Sequence, residues 1–387
     1  MAGYRLNFLS SFPPRECGIA TFTQDIVDSI AKRFSPKVEC TITAMNDNLL
    51  STYNYDERVK FQIDSDDNES YLEAAEKINK DKKTKAVCIQ HEFGLFGGSY
   101  GDYLIPFLEE LKKPVATTFH SVLDCDKNED RHLRYVVKKI AENSAKTIVI
   151  SGYGKDILMQ KYRIPGEKIE IIPHGIPAIQ YGQGEEAKKE LGLEGKKIIS
   201  TFGLLSNKKG IQYALKAMPR IAEQNPEAMY LIIGETHPQV RKKEGEKYRN
   251  RLRKIANNLG IEEHVRFYNK YLPLEEVCRY LQATDVYITP YFDPQQISSG
   301  TLAYAIGAGK ACISTPYLYA KDALRHGRGV LVNFKSHRQI ADAANKLLSD
   351  KKFREKIEKN AFSYSRAWAW PKIAESYVHV CQQALKP

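Results

Sequence analysis

The stretch from Asp285 to Tyr317, DVYITPYFDPQQISSGTLAYAIGAGKACISTPY, indicates the fold class of this chain. Its apolar residues predict a buried strand over 286–289, a helix of small residues from about 301 to 308, and a second strand over 311–315. A strand, a helix and a second strand in this order form a βαβ unit. The stretch therefore predicts an α/β fold.

The loop before the helix carries hydrogen-bonding groups at the point where the helix begins. Ser298, Ser299, Gly300 and Thr301 place three hydroxyl groups and one glycine there. The first turn of a helix has free N–H groups and the positive end of the helix dipole, so it attracts an anion. Glycine lets the main chain approach a ligand closely. These residues are consistent with a phosphate site, and also with an ordinary helix N-cap.

The same stretch resembles the donor-site segment of family 4 glycosyltransferases, which are retaining enzymes with the GT-B fold. The match rests on Ala305–Gly309 and on the hydrophobic strand that follows. In that family two glutamates bind the donor: the first contacts the sugar and the second contacts the ribose. Gln296 and Tyr304 occupy these positions here. The resemblance therefore identifies a divergent member without the paired glutamates, and it assigns both residues to donor binding.

The resemblance covers nearly the whole chain and implies two Rossmann-like domains that face each other across a cleft. The turn PHGIP at residues 173–177 is similar to the turn that closes the N-terminal half in the family. A polar, glycine-bearing segment follows and predicts a linker near residue 180. We expect an acceptor-side domain over 1–179, a donor-binding domain over 180–364, and a C-terminal helix within 365–387 that packs back on the first domain.

Two turns of the first domain carry candidate acceptor-side residues. Arg15, Glu16 and Gly18 lie in the turn after the first predicted strand, and His91 and Glu92 directly follow a later one. Open α/β folds bind their ligands at the carboxyl edge of the sheet, where these turns lie. Taken without the resemblance, Arg15 and Glu16 are also consistent with a solvated ion pair in a plain turn.

His120 follows a predicted strand over 115–119 and is the catalytic candidate of the first domain. In the family a histidine after this strand faces the donor sugar and its phosphate, so the resemblance gives His120 that role. An imidazole can donate a hydrogen bond to a sugar hydroxyl or to a leaving phosphate oxygen. A single histidine at a strand end is also consistent with a structural role.

The second domain opens with a predicted strand over 197–202 and a loop that carries the other catalytic candidate. In this loop the family has an arginine after the first glycine and a lysine before the next glycine, and both bind the donor diphosphate. Gly203 is present here, Leu204 stands at the arginine position, and Lys209 matches the lysine. Tyr271 lies in the turn where the family holds the nucleotide base. The resemblance therefore adds Gly203, Lys209 and Tyr271 to the donor site.

Three short motifs point to other chemistry and are set aside. The segment HEFGL is not a zinc-binding HExxH motif because Leu95 occupies its fifth position. Ser99 lies in a GxSxG pattern, but it stands nine residues beyond the strand, whereas a nucleophile elbow needs its serine directly after a strand. Asp64 and Asp66 form a DxD pattern that could hold a divalent metal, yet a solvated acidic loop has the same sequence. We predict no metal site.

The composition is that of a globular protein large enough for two domains, with 387 residues, 42% hydrophobic residues and a formal net charge of +11. The charge favours an acidic partner such as nucleic acid, anionic membrane or a phosphorylated sugar. The N terminus lacks a signal-peptide pattern, and no apolar run is long enough to span a membrane. Seven cysteines without metal-ligand spacing, at positions 17, 40, 88, 125, 278, 312 and 381, indicate buried thiols in a reducing cytoplasm.

Two basic helices raise the question of a macromolecular partner. The helix predicted over 130–141 is consistent with a solvated face, and alternatively with peripheral contact to anionic lipid. The helix predicted over 240–258 contains RKKEGEKYRNRLRK, but glutamates interrupt the basic pattern and the chain has no RNA-binding motif. We therefore expect no nucleic-acid partner. Towards the C terminus we expect a last strand over 327–334 and a tail helix that is broken at Pro371.

These patterns predict a retaining glycosyltransferase that moves a hexose such as mannose or glucose. The expected donor is a nucleotide sugar, and the acceptor is a hydroxyl of a carbohydrate or of a lipid-linked molecule. No cofactor or metal is expected, because Lys209 and the helix start would stabilise the departing diphosphate. Leu204 and Tyr304 leave open a phosphorylase-like enzyme that uses a sugar 1-phosphate. A non-catalytic sugar-binding member of the family is the third alternative.

Overall fold

The structure of the chain is a computed structural model that describes residues 3–47, 53–124 and 130–385. Contacts divide the chain into two units. The first unit comprises Met1–Gly175, Gln296–Ser298 and Trp368–Pro387, and the second comprises Ile176–Gln295 and Ser299–Ala367. In the part of the chain that the structure describes, no helix combines the length and the apolar composition that crossing a membrane requires.

The first unit alternates strands with helices. Its elements in chain order are β1 (Tyr4–Ser10), α1 (Gly18–Phe34), β2 (Val38–Asn46), β3 (Val59–Asp64), α2 (Asn68–Lys80), β4 (Thr84–His91), α3 (Leu104–Glu110), β5 (Val115–Phe119), α4 (Arg131–Asn143), β6 (Lys146–Val149), α5 (Gly152–Lys161) and β7 (Ile169–Ile171). The strands are all parallel and lie in the order β3-β2-β1-β4-β5-β6-β7. The order reverses between β1 and β4, and open α/β sheets bind their ligands outside the carboxyl ends of the strands at such a reversal.

The second unit repeats this architecture. Its elements are α6 (Gly184–Glu190), β8 (Lys197–Phe202), α7 (Ile211–Gln224), β9 (Ala228–Ile233), α8 (Pro238–Glu244), α9 (Lys247–Asn258), β10 (Val265–Tyr268), α10 (Leu274–Ala283), β11 (Val286–Thr289), α11 (Gly300–Gly307), β12 (Ala311–Ser314), α12 (Leu318–Ala323), β13 (Val330–Leu331), α13 (His337–Ser349) and α14 (Lys351–Ser365). The parallel strands lie in the order β10-β9-β8-β11-β12-β13, so the reversal falls between β8 and β11. Two Rossmann-like parallel sheets confirm the predicted α/β class.

The C-terminal helix α15 (Trp370–Ala384) packs beside α1 on the sheet of the first unit. Its apolar side chains join a core cluster that includes Phe22 of α1. The Tyr377 hydroxyl lies 2.9 Å from Thr118 Oγ1 of β5, and the Sγ atoms of Cys381 and Cys88 lie 3.0 Å apart. The tail therefore returns to the first unit, as the fold class predicted.

Several predicted elements differ from those observed, and the positions of one proline and one glycine explain two of the differences. Pro371 does not break the tail helix but lies in its first turn, where a residue without an N–H loses no helical hydrogen bond. The basic helix predicted over 240–258 is two helices, α8 and α9, because Gly245 between them has a φ of 60°. The strand predicted over 327–334 shortens to the two-residue edge strand β13. Helix α6 occupies part of the predicted linker.

The cysteines that the structure describes are free thiols. Cys88, Cys312 and Cys381 are buried, whereas Cys17, Cys40 and Cys278 are partly buried; Cys125 lies outside the described residues. Burial raises the pKa of the Cys312 thiol. The protonated thiols therefore behave as small apolar side chains in the core.

Three histidines of the first unit are held in the neutral state by their surroundings. Desolvation lowers the pKa of His91 and of His120 to about 3, and the nearby His174 and His91 add to the effect on His120. Desolvation also lowers the pKa of His174 to about 4. His120 and His174 both lie edge-on to the ring of Phe22, at centroid distances of 4.8 and 5.1 Å.

We expect the free energy of unfolding to fall as the pH decreases below about 6.5. The unfolded chain takes up protons at these histidines near their ordinary pKa, whereas the folded chain does not until the pH approaches 4 or 3. The slope reaches up to about 4 kcal/mol per pH unit for three such groups. Urea unfolding at pH 7.5, 6.5, 6.0 and 5.5 measures it. His174→Asn should reduce the slope by about a third, and an unchanged slope would contradict the assignment.

The matched control for this titration is His326→Asn. His326 is exposed and has a φ of 60°, a conformation that asparagine tolerates well. The variant removes an exposed side chain and keeps the three buried histidines, so it should leave the stability at pH 7.5 unchanged.

We also expect Gly175→Ala to destabilise the first unit by about 1 to 3 kcal/mol. A Cβ at this position would lie 2.1 Å from the indole ring of Trp370, which is buried and cannot move freely. Urea unfolding followed by tryptophan fluorescence measures the change. Gly94→Ala is the control because no atom lies within 4 Å of its Cβ position. Equal stability of the two variants would contradict the close packing of Trp370 on Gly175.

Candidate active site

The start of helix α11 lies at the carboxyl edge of the second sheet. It follows β11, which pairs with β8 at the point where the strand order reverses. Ser299 caps the helix, with its Oγ accepting a hydrogen bond from the Leu302 N–H at 3.3 Å. The Ala303 N–H donates to the Ser299 carbonyl oxygen at 2.9 Å. Helix geometry leaves the N–H groups of Gly300 and Thr301 pointing out of the first turn. Ser299 is thus an N-cap, and the helix end beside it can still accept an anion.

Lys209 lies beside this helix start. Its ammonium donates to the Tyr291 hydroxyl at 2.9 Å and lies 4.1 Å from the centroid of the same ring. The Tyr291 hydroxyl is in turn 2.8 Å from Thr301 Oγ1. Tyr317 stacks on Tyr291, with the ring centroids 5.4 Å apart. The structure therefore brings the predicted residues Lys209 and Thr301 together through a tyrosine that the sequence analysis did not consider.

Glycines make this close arrangement possible. Gly210 follows Lys209 with a φ of 64°, and a Cβ there would lie 2.0 Å from the Pro290 carbonyl oxygen. Gly203 has a φ of 123°, and its Cβ position is 3.0 Å from the Thr301 methyl group. The backbone can therefore line the space in front of the helix without side chains, which is the geometry that a phosphate group requires.

Arg249 is a structural contributor to this region that the sequence analysis missed. The guanidinium is buried, with Nη2 donating to the Gly234 carbonyl oxygen at 3.1 Å and Nε donating to Glu246 at 3.0 Å. Gly234 lies against Gly203, where a Cβ would come within 2.3 Å of the Gly203 oxygen. A sequence signal existed, because position 249 falls on the apolar face of its helix beside Tyr248.

The other donor-site candidates of the second unit lie in contrasting surroundings. Tyr304 is only 8% exposed, and its ring lies 6.2 Å from that of Phe202 under the loop. Tyr271 lies in the loop after β10 and is 43% exposed. Tyr304 therefore occupies a packed interior position, whereas Tyr271 presents its ring to solvent.

Residues 296–298 are grouped with the first unit by their contacts. The Gln296 amide donates to the Ser298 carbonyl oxygen at 2.7 Å, and the Ser298 hydroxyl donates to the His120 carbonyl oxygen at 2.8 Å. Ser151 Oγ donates to the Ile297 carbonyl oxygen at 3.0 Å. These bonds fix the segment beside the carboxyl ends of β5 and β6.

The two histidine candidates of the first unit are buried. His120 is 4% exposed, and its Nε2 lies 2.9 Å from Gln90 Oε1. The sequence analysis placed His91 at a strand end facing the crevice, but its ring is fully buried among Phe93, Phe96 and Phe119. Neither ring nitrogen of His91 has a hydrogen-bond partner among the described residues. His91 is therefore a core residue of β4, because that strand continues one position further than predicted.

The remaining first-unit candidates are polar groups at the carboxyl edge of the sheet. Glu92 accepts a hydrogen bond from the Ser121 hydroxyl at 2.6 Å. The Arg15 guanidinium donates to the Met45 carbonyl oxygen at 2.7 Å, and Glu16 beside it is exposed. Gly18 begins α1 in open space. This edge therefore offers carboxylate, hydroxyl and guanidinium groups for binding a polar molecule.

No group of three or more histidine, cysteine, aspartate or glutamate side chains in the described ranges is arranged to hold a metal ion. Asp64 is the last residue of β3 and accepts a weak hydrogen bond from the Asn46 amide at 3.4 Å. Lys209 and the start of α11 carry positive charge at the edge of the second sheet.

Two family models match this chain. The model described as "Glycosyl transferases group 1" matches residues 183–364, and the model described as "Glycosyltransferase Family 4" matches residues 89–178. Spore coat protein SA of Bacillus subtilis is 27% identical over 62% of this chain and 66% of its own length. A D-inositol 3-phosphate glycosyltransferase of Corynebacterium jeikeium is 25% identical over 73% of this chain and 68% of its own. The matches thus span about two thirds of the relatives' length.

Solved structures with the same fold extend over almost the whole chain. HepE of Anabaena in complex with UDP superposes with a TM-score of 0.76 at 14% identity, covering 97% of this chain and 98% of the other. A glycosyltransferase of Rickettsia africae has a TM-score of 0.75 at 14% identity and covers both chains completely. At these identities the likeness shows the fold alone. The two family models, the glycosyltransferase relatives and the two parallel sheets agree: the chain has the GT-B fold, it is a glycosyltransferase, and it is similar to family 4.

Proposed function

We propose that this chain transfers a hexosyl group from a nucleotide-sugar donor to a hydroxyl acceptor, with retention at the anomeric carbon and without a metal ion. The observation that carries the proposal is the Lys209–Tyr291–Thr301 arrangement at the start of α11. In this arrangement the Lys209 ammonium lies beside helix N–H groups that have no partner within the helix. Positive groups of this kind support the binding of a phosphate-bearing leaving group.

Bond breaking at the donor requires stabilisation of the departing diphosphate. The bond between the anomeric carbon and the phosphate oxygen breaks, a bond to the acceptor oxygen forms, and the acceptor proton passes to the departing phosphate. Negative charge on the phosphate grows during this step, and groups fixed in advance where charge develops lower the barrier most. Tyr291 fixes Lys209 in advance, because it both accepts a hydrogen bond from the ammonium and lies under it.

His120 enters this proposal as a neutral hydrogen-bonding group. Its low pKa, caused mainly by desolvation, excludes an imidazolium at neutral pH. A neutral imidazole can donate from one ring nitrogen only, and the Nε2 partner Gln90 Oε1 is an acceptor. In this proposal His120 orients the Gln90 side chain and, through its carbonyl oxygen, the Ser298 hydroxyl. We accordingly assign it a positioning role rather than proton transfer.

The solved structures with the same fold support a nucleoside diphosphate as the leaving group. HepE of Anabaena is described in complexes with UDP, with UDP and glucose, and with UDP-glucose. The exposed Tyr271 in the loop after β10 offers an aromatic face for a base. Tyr304 is buried and offers no carboxylate to a ribose, so in this proposal the ribose binds to other groups.

A phosphorylase-like reaction with a sugar 1-phosphate is the second candidate, because Leu204 leaves one lysine where the family has an arginine and a lysine. A single phosphate needs fewer cationic partners than a diphosphate. Thermal shift assays with UDP-glucose, GDP-mannose, glucose 1-phosphate and mannose 1-phosphate separate the two. Stabilisation by sugar phosphates alone would contradict the nucleotide-sugar proposal, and stabilisation by none of the four would favour a non-catalytic member.

The compartment and the partners follow from the same reaction. Nucleotide sugars are made in the cytoplasm, and the free thiols of the chain suit a reducing environment. We therefore propose a cytoplasmic enzyme whose acceptor is a carbohydrate or a lipid-linked molecule.

Lys209→Ala should lower kcat/KM by about 10²-fold, because it removes a positioned charge that acts on the leaving group. Release of the nucleoside diphosphate, measured with the nucleotide sugar that gives the largest thermal shift, checks the loss. Lys209→Arg keeps the charge and should retain more activity than the alanine variant.

Lys208→Ala is the matched control for the lysine variant. The Lys208 side chain is 79% exposed, and its ammonium lies 3.9 Å from Asp293, so its removal should change kcat/KM by less than about threefold. Equal losses in the two alanine variants would mean that the loop contributes only a diffuse positive field and that Lys209 does not bind the phosphate.

Incubation with EDTA should leave the rate of UDP release unchanged, since Lys209 and the helix start supply the positive charge that a metal would otherwise supply. The assay is run with and without added Mg²⁺ and Mn²⁺. A loss of activity that either ion restores would contradict the proposal. Asp64→Asn and Asp66→Asn would then test whether the DxD segment holds the ion.

A further inference from the structure

Four aromatic rings lie in a row at the carboxyl edge of the first sheet. The ring of Phe93 lies 6.1 Å from that of Tyr100, Tyr100 lies 6.4 Å from His132, and His132 lies 6.3 Å from Tyr135. Phe93 and Tyr100 belong to the loop after β4, whereas His132 and Tyr135 belong to α4. We call Phe93, Tyr100, His132 and Tyr135 the aromatic row.

The aromatic row is open to solvent. Tyr100 and Tyr135 are 36% and 49% exposed, and the His132 side chain is 44% exposed. Single exposed aromatic residues are common, but several in contact across two elements form a continuous surface that a folded protein rarely leaves open without use.

The backbone at Tyr100 is strained. Tyr100 has a φ of 58°, a conformation that is rare for an aromatic residue, and it lies between Gly98 and Gly101, which have φ values of 78° and 83°. This is the GxSxG segment of the sequence, which the structure uses as a turn. Strained residues persist only where their surroundings hold them, and they cluster at ligand sites.

Two carboxylates hold the rings of Tyr100 and His132 in place. Asp102 accepts from the Ser99 N–H at 3.0 Å through one oxygen and lies 2.8 Å from His132 Nε2 through the other. Asp130, the N-cap of α4, accepts from the Tyr100 hydroxyl. Each carboxylate thus links the loop to the helix. The orientation of the rings is fixed before any ligand arrives, which lowers the entropic cost of binding.

We propose that the aromatic row binds the acceptor and that the acceptor is a neutral saccharide. This inference rests on the proposed transferase function. The C–H face of a pyranose ring stacks on Tyr100 and Tyr135, and its hydroxyl groups exchange hydrogen bonds with His132 and Asp102. The aromatic row combines apolar ring faces with polar groups at their edges. A sugar ring likewise has an apolar face and a polar rim, so the two surfaces match.

Other acceptor chemistries fit the aromatic row less well. A lipid chain would displace water from the polar edges of Asp102, Asp130 and His132 and offer only hydrocarbon in its place. A phosphorylated acceptor would meet two carboxylates, although the exposed Arg131 beside them offers it one cation. An inositol phosphate is therefore the competing ligand to include in a test.

Saturation-transfer NMR on the full-length protein tests the proposal. The probes are methyl α-glucopyranoside, methyl α-mannopyranoside, maltose, and myo-inositol 3-phosphate, each at millimolar concentration. At least one pyranoside should receive saturation, strongest at the protons of one ring face. Saturation of the inositol phosphate alone, or of no probe, would overturn the proposal.

Substitutions show whether the aromatic row is the surface that binds. Tyr100→Ala and Tyr135→Ala should each weaken pyranoside binding by about three- to tenfold, the range expected for loss of one aromatic stacking contact. Tyr100→Phe keeps the ring face but loses the hydrogen bond to Asp130, so it should weaken binding less than Tyr100→Ala does. Leu72→Ala truncates a side chain of similar exposure on α2 and should change nothing. Unchanged binding in both tyrosine-to-alanine variants would overturn the proposal.

Donor hydrolysis in the absence of any acceptor separates this proposal from the proposed function. Water replaces the acceptor in that reaction, so Tyr100→Ala and Tyr135→Ala should lower the rate of donor hydrolysis far less than they weaken pyranoside binding. If the enzyme hydrolyses a nucleotide sugar but saccharide binding does not depend on Tyr100, the acceptor proposal alone is overturned. Saccharide binding that depends on Tyr100, with no donor hydrolysed or bound, would overturn the transferase function and leave a sugar-binding surface.

Discussion

Contact between main-chain atoms of three loops is the constraint on which the second unit's site depends. A Cβ at Gly234 would lie 2.3 Å from the Gly203 carbonyl oxygen, and a Cβ at Gly210 would lie 2.0 Å from the Pro290 carbonyl oxygen. The loops after β8, β9 and β11 can therefore touch only where side chains are missing. This contact sets Lys209 against Tyr291, and Tyr291 against the start of α11. A methyl group at Gly210 would separate the ammonium from the helix, even though no bond of the site involves that residue.

Much of the fold could be predicted because buried parallel strands are short apolar runs with polar ends. The bounds of β5, β8 and β11 agree with the predicted ones to the residue, and α11 is shifted by a single position. The resemblance assigned Lys209 to the donor site, and the structure places it beside Thr301 because both residues follow strands that flank the order reversal. Position along a strand determines which edge a residue reaches, and that information is local in sequence.

Contacts between distant residues could not be predicted in the same way. The apolar face of α9 includes position 249, but only the structure shows that the Arg249 guanidinium donates to the Gly234 carbonyl oxygen. His91 follows the predicted strand by one residue, and a single added position turns its side chain from the crevice into the core. The φ of Tyr100 depends on Asp102 and Asp130, of which the second lies 30 residues away. The sequence pattern predicts which edge of the sheet a residue reaches, whereas the direction of each side chain depends on its neighbours in space.

The thiols beneath the C-terminal helix provide a built-in probe of local motion. Cys88 on β4 and Cys381 on α15 have almost no exposed surface, and their Sγ atoms touch. Burial and the adjacent sulfur raise the pKa of Cys88, so the reactive thiolate is scarce in the closed state. A thiol reagent can label this pair only after α15 detaches from the sheet. The rate of labelling at low reagent concentration, compared with that of the partly exposed Cys278, therefore reports how often the last helix opens while the rest of the first unit stays folded.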